Sequence, residues 1–238
     1  MDSAQDIAQN IAEVRRRIEQ AARKAGRDSR QITLIAVSKT VEAQRVLQAY
    51  DAGVRHFGEN RVQELVQKHG EMPDDCIWHL IGHLQSNKAR DAVQYAALIH
   101  SVDSVELARE IGRRAQRAGR TADVLAQVNI SAEQTKSGVA PVHTPDFVRA
   151  LAAVAGIRVQ GLMTIAQPVQ KPEDVRPEFA RMRAFFDALA ADPGADNIVM
   201  RHLSMGMSHD FEIAIEEGAT MVRVGSAIFG QRVYPPAT

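Results

Sequence analysis

Cysteine is almost absent from these 238 residues: Cys76 stands alone, so no internal disulfide can form. That excludes a disulfide scaffold and suits a reducing compartment. A nucleophilic role for Cys76 finds no pKa-lowering context in the sequence to support it. An excess of either charge is missing too, with 29 Lys and Arg against 29 Asp and Glu. Nucleic acid and anionic membranes usually require a basic face, so neither is an expected partner. No apolar run approaches the roughly 18 residues that would span a membrane. The N-terminal stretch lacks the apolar core of a signal peptide, and Asp2, Asp6, Glu13 and Glu19 count against a transit peptide. The cytoplasm is the expected location.

What is present matches an ordinary globular protein, 45% apolar and 24% charged. A chain of this length buries about 70% of its unfolded surface and needs no disulfide or metal staple. Short Val, Ile and Leu-rich runs recur at 32–39, 54–59, 77–83, 97–103, 123–130, 157–165, 198–206 and 221–225. Continuous apolarity is what a parallel strand buried on both faces requires. Helix-period segments lie between them. One runs through Leu107, Ile111 and Ala115, with Asp103 and Glu106 as a cap-like pair. Another opens at Thr144-Pro145, read as a cap followed by proline at the first helical position. A third places Phe179, Met182, Phe186 and Leu189 inward, and Gly53, Gly119 and Gly218 close helices. The leading segment carries Ile7, Ile11, Val14 and Ile18 on one stripe. Eight strand–helix units predict a single (β/α)8 TIM barrel, α/β in class, over residues 1–238 with one extra N-terminal helix. An open doubly wound sheet is the alternative. No Gly-x-Gly-x-x-Gly or Gly-x-x-x-x-Gly-Lys motif supports dinucleotide or P-loop chemistry. Pro168 to Pro177 reads as a loop, either a lid or a surface connection.

In such barrels the active site gathers at the C-terminal ends of the strands. Those ends carry Lys39, Glu59, Asn60, His83, Asp103, Asn129, Thr164, Ser204 and Arg223. Lys39 shares strand parity with Ile35 and Val37. An ammonium at the rim of a buried sheet loses hydration, which favours the neutral amine that forms Schiff bases. Equally, Lys39 could extend into solvent or pair with Glu59. Strand seven ends in LSMGMS and strand eight in RVGS, each before a helical segment. Small residues there let backbone N–H groups approach a phosphate. A Schiff-base lysine with a phosphate site implies an aldolase or a pyridoxal phosphate protein. His79 and His83 are spaced too far along a strand to share a metal, and no metal site is expected.

The stretches LIAVSKT (34–40), HFGENRVQE (56–64), WHLIGHLQSNKAR (78–90), NISAEQTKSGV (129–139), GLMTIA (161–166) and LSMGMSHDFEIAIEEGATMVRVGSAIFG (203–230) form a pattern. The sequence resembles the pyridoxal phosphate homeostasis protein family, relatives of the N-terminal barrel of alanine racemase. The resemblance implies pyridoxal 5'-phosphate as cofactor and Lys39 as the Schiff-base lysine. It places Asn60 beside the cofactor, and it assigns the phosphate to Ser204, Gly225 and Ser226. Arg223 would face the pyridine nitrogen, where a permanent cation keeps that nitrogen unprotonated and weakens the ring as an electron sink. Lys136, on a loop at the same face, is a further candidate contact. Racemisation needs two acid–base groups on opposite faces of the substrate carbon. In the racemases the second is a tyrosine from a β-rich domain that the resemblance does not include. Tyr50, Tyr95 and Tyr234 offer no replacement. The expectation is a non-catalytic monomer that binds pyridoxal phosphate and serves apo-enzymes that use it. An alanine-type racemase and a class I aldolase are the alternatives.

Overall fold

Eight parallel strands close on themselves in sequence order. The computed structural model describes residues 4–131 and 137–230. The strands are β1 (Thr33–Val37), β2 (His56–Glu59), β3 (Ile77–Leu80), β4 (Leu98–Val102), β5 (Ala122–Val128), β6 (Ile157–Thr164), β7 (Ile198–Ser204) and β8 (Met221–Val224). Around them lie α1 (Ala4–Lys24), α2 (Ala43–Asp51), α3 (Val62–His69), α4 (Ala89–Tyr95), α5 (Val105–Arg117), α6 (Thr144–Ala152), α7 (Arg176–Ala191), α8 (Phe211–Glu216) and α9 (Ser226–Phe229). This is the TIM barrel that the alternation of apolar runs predicts, with α1 as the leading helix. Pairing of β1 with β8 closes it and sets Ile35 opposite Arg223. Among the described residues no helix is long and apolar enough to cross a membrane.

Two apolar layers hold the barrel. The larger lies between strands and helices and includes Phe57, Trp78, Leu80, Val124 and Phe211. Ile7, Ile11, Val14 and Ile18 of α1 belong to it, as their spacing predicts. The smaller layer, Ile35, Leu98, Leu125, Met163 and Met221, draws on β1, β4, β5, β6 and β8. These side chains fill the barrel interior. Strands β2, β3 and β7 add no apolar residue to it, and their place is taken by polar groups described below.

Differences from the sequence reading concentrate at element ends. Strands β1, β3, β5 and β7 stop at Val37, Leu80, Val128 and Ser204, two or three residues short of the apolar runs. At this rim the chain turns out of the ladder to build loops. After β7, Gly206 has φ +90°, and a Cβ there would lie 2.5 Å from Ala214 Cβ and 2.9 Å from Phe211 Cα. Only glycine makes that turn without displacing α8. Helix α5 is capped by Ser104, whose hydroxyl accepts from the Leu107 N–H, rather than by Asp103. Thr144 lies inside α6 because a 3₁₀ turn, Pro141–His143, precedes it, so it is not the cap. In the Pro168–Pro177 segment a 3₁₀ turn, Pro172–Val175, leads into α7. Arg176 ties its end to Glu216 and Glu217 at 2.6 Å each.

Candidate functional site

The barrel mouth opens into a cavity of about 410 Å³. Its lining includes Lys39, Asn60, His83, Gln127, Ser208, His209, Arg223, Gly225 and Ser226. Six residues singled out from sequence, Lys39, Asn60, His83, Arg223, Gly225 and Ser226, therefore meet in one space. Ser204 does not join them. It is wholly buried, and its hydroxyl accepts from Arg223 Nη1 at 2.6 Å and lies 3.0 Å from His100 Nδ1. Of the two serines in LSMGMS, the one that reaches the cavity is Ser208, four residues on. Its Oγ accepts from the backbone N–H groups of Gly225 at 3.2 Å and Ala227 at 3.4 Å. Two N–H groups converging on one oxygen make an anion-receptive position. Lys136 lies outside the described residues.

Lys39 sits on a tight turn that continues β1, half-buried at the cavity wall. The turn closes through the Val41 N–H to the Ser38 carbonyl at 3.0 Å. Thr40 adopts φ +59°, unusual for a β-branched residue. Such a conformation costs roughly 1–3 kcal/mol and persists only where surroundings impose it. Here Glu64 Oε2 accepts from the Thr40 N–H at 2.8 Å. Behind the turn, Lys68 Nζ donates to the Ser38 carbonyl at 2.6 Å and to Glu59 Oε1 at 2.7 Å. Ser38 Oγ donates to the same carboxylate oxygen at 2.7 Å. Glu59 is thus held by Lys68 and Ser38. Burial pushes its pKa up, and Lys68 and Ser38 pull it down. Sequence alone gave no sign of Lys68, because an i,i+4 partner of Glu64 reads as a surface pair. Removing one partner of a buried ion pair strands the other charge and costs about 3–5 kcal/mol. Lys68→Met is accordingly expected to lose that much in urea unfolding, and adding Glu59→Gln should recover most of it.

On β8, the strand next to β1, Arg223 is 4% exposed. Its Nη2 donates to the Thr164 carbonyl at 2.8 Å while Nη1 holds Ser204. Burial lowers its pKa to about 10, so it remains a cation at neutral pH. Asp210 lies nearby, with its pKa raised by burial, and accepts from the Met207 N–H at 2.6 Å. At the rim His83 Nδ1 is 3.5 Å from Asp103 Oδ2. Tyr50 donates to Asp75 at 2.6 Å and Tyr95 packs edge-on against His69, so neither lines the cavity. Tyr234 lies outside the described residues. Cys76 is half-buried with its thiol pushed up to about 11 by burial first and Asp75 second, which suits an unreactive side chain.

Fold and cavity together define a barrel of the alanine racemase type. The family model described as "Alanine racemase, N-terminal domain" matches residues 5–233. Alanine racemase of Clostridium difficile shares the fold, with a TM-score of 0.67 at 17% identity, over 94% of this chain and 60% of that one. The chain belongs to the pyridoxal phosphate homeostasis protein family. It is 42% identical over 230 residues to the protein so named from Aquifex aeolicus, covering 96% of this chain and all of that one. The Escherichia coli K12 protein of the same name is 41% identical over 236 residues, covering 96% and 98%. Among solved structures, PipY of Synechococcus elongatus with PLP bound superposes with a TM-score of 0.80 at 38% identity, over 94% of this chain and all of that one.

Proposed function

We propose that this chain binds pyridoxal 5'-phosphate for cofactor homeostasis, holding it as a Schiff base on Lys39 without dedicated catalytic turnover. The observation that carries the reading is the single cavity shared by Lys39, Arg223 and the Gly225–Ser226 turn. Its donors suit each part of that cofactor. Lys39 would hold the cofactor's aldehyde carbon as an imine, a condensation that its neutral amine performs with loss of water. Ser208, Gly225 and Ser226 take the phosphate, whose oxygens are acceptors like the Ser208 Oγ already bonded to Gly225 and Ala227. The phosphate role first expected of Ser204 passes to Ser208, and Ser204 instead holds Arg223. Arg223 offers only donors, so it keeps the ring nitrogen unprotonated and restrains the electron-sink chemistry that the bound cofactor supplies. Asn60, on the cavity wall, would lie beside the cofactor. Family membership supports the same reading, as does the relative whose structure has PLP bound. We assign the protein to the cytoplasm, as a monomer that passes cofactor to apo-enzymes.

A racemase would need a second acid–base group opposite Lys39, and His83 and His209 both line the cavity. The test therefore has two arms. Borohydride reduction of protein loaded with pyridoxal phosphate should fix one adduct, mapped by mass spectrometry to residue 39. The same loaded protein should interconvert L- and D-alanine no faster than free cofactor. An adduct elsewhere would remove Lys39 from its role, and rapid racemisation would turn the protein into an enzyme.

A further inference from the structure

Below the cavity a chain of hydrogen bonds crosses the barrel interior. Arg223 Nη1 donates to Ser204 Oγ at 2.6 Å, and Ser204 Oγ lies 3.0 Å from His100 Nδ1. His100 Nε2 lies 3.0 Å from His79 Nδ1, and His79 Nε2 lies 2.9 Å from His56 Nδ1. Strands β4 and β7 are not neighbours in the barrel, so the His100–Ser204 contact spans its centre. His79 and His100 are 2% and 0% exposed. Burial holds His79 down to about 3 and His100 well below its usual value, so both are neutral at neutral pH. A neutral imidazole has one donor and one acceptor. Each link joins the Nδ1 of one ring to the Nε2 of the next. The tautomer of one ring therefore dictates that of its neighbour.

Arg223 breaks the symmetry between the two directions. A guanidinium can only donate, so Ser204 Oγ accepts from it, and the hydroxyl proton must point elsewhere. The remaining partner in this chain is His100 Nδ1. We propose that His56, His79 and His100 form one tautomer-locked relay, all protonated on Nε2, that fixes Ser204 as the acceptor positioning Arg223. Donation then runs from Arg223 through Ser204, His100 and His79 to His56. These are positioning residues: none lines the cavity. The relay is independent of any cofactor. Its value to cofactor binding rests on the proposed function, in which Arg223 faces the ring.

His56, the first residue of β2, closes the far end of the relay and borders an opening at the opposite face of the barrel with Arg15, Glu19, Arg30 and Arg55. His79 faces it from β3 and His202 from β7, and His202 in turn senses Arg201 and Asp123. Burial lowers the His56 pKa. A proton taken up on its Nδ1 would set two donors face to face and break the link to His79. Relay integrity is therefore lost as pH falls through the His56 pKa and is kept above it.

Long-range ¹⁵N NMR of histidine-labelled full-length protein reads each tautomer directly. In the wild type at neutral pH, Nδ1 of all three rings should resonate as an unprotonated nitrogen and Nε2 as a protonated one. Ser204→Ala removes the hydroxyl that imposes the direction, and the Nδ1 and Nε2 shifts of His100, His79 and also His56 should move toward common averaged values. Ser204→Thr should restore the wild-type pattern. His79→Phe offers a second route: His100 keeps its tautomer while His56 loses it. Mixed tautomers in the wild type, or a His56 that ignores both Ser204→Ala and His79→Phe, would overturn the relay. Because the readout needs no ligand, that failure would leave the cofactor assignment standing.

Discussion

Lys39→Ala should abolish the visible absorbance that the wild-type protein acquires on adding pyridoxal phosphate. The alanine methyl cannot condense with an aldehyde, and the covalent bond is lost outright. Ser208, Gly225, Ser226 and Arg223 are untouched, so the cofactor still binds through phosphate and ring contacts alone. Affinity is expected to fall by about 100-fold or more, equivalent to roughly 3 kcal/mol. The fold should hardly notice. The turn is clamped by Glu64 on the Thr40 N–H and by Lys68 on the Ser38 carbonyl, neither of which involves the Lys39 side chain. Lys88→Ala makes the control, because Lys88 borders a neighbouring depression beside Asn60 rather than the cavity itself. An absorption titration with both variants decides the matter. Should Lys39→Ala keep the absorbance and Lys88→Ala lose it, the Schiff-base assignment fails.

The eight strands were legible because burial on both faces imposes an apolar run that survives without any partner in view. Their ends were not, since the rim loops bend out of the ladder for reasons that lie in other segments, such as α8 pressing on Gly206. The cavity was legible where a residue lies at or just past a strand end: Lys39, Asn60 and Arg223. Ser204 and Ser208 show where this reading stops. Both occur in one LSMGMS stretch, and only the turn at Gly206 decides that the second serine reaches the cavity and the first faces the barrel interior. The histidine relay went unseen because an isolated histidine in an apolar run resembles ordinary core. A signal did exist. His100 shares parity with Leu98, and Arg223 with Met221, and both apolar partners belong to the interior layer. Polar groups at inward positions of several strands mean a polar interior network, a different thing from a single tolerated histidine.

That network predicts an acid-sensitive fold. In the unfolded chain each histidine titrates near 6.5, whereas in the folded barrel His79 is held at about 3 and His100 well below 6.5, chiefly by burial. Folded-state values below unfolded ones mean that the unfolded chain binds more protons under acid conditions. The stability of the neutral imidazoles is therefore complete above about pH 6.5 and is lost as pH falls. His79 contributes a slope of about 1.4 kcal/mol per pH unit once well below 6.5, and His100 acts in the same direction. Between pH 6 and pH 4 His79 alone costs roughly 2–3 kcal/mol, a large share of the stability of a small domain, and His100 adds to that loss. His56 and His202, both lowered by burial, add in the same direction. Glu59 and Asp210 work against them, because burial raises their folded-state values and a proton gained there favours the folded form. Four lowered imidazoles stand against two raised carboxyls, so the net expectation is a loss of stability as pH falls. Urea unfolding at a series of pH values should show stability falling steeply from pH 6 to 4. His100→Gln should flatten that slope, because it removes one imidazole that burial holds neutral. A slope that His100→Gln leaves unchanged would mean that His100 takes up its proton without penalty, and the neutral interior network could not then exist.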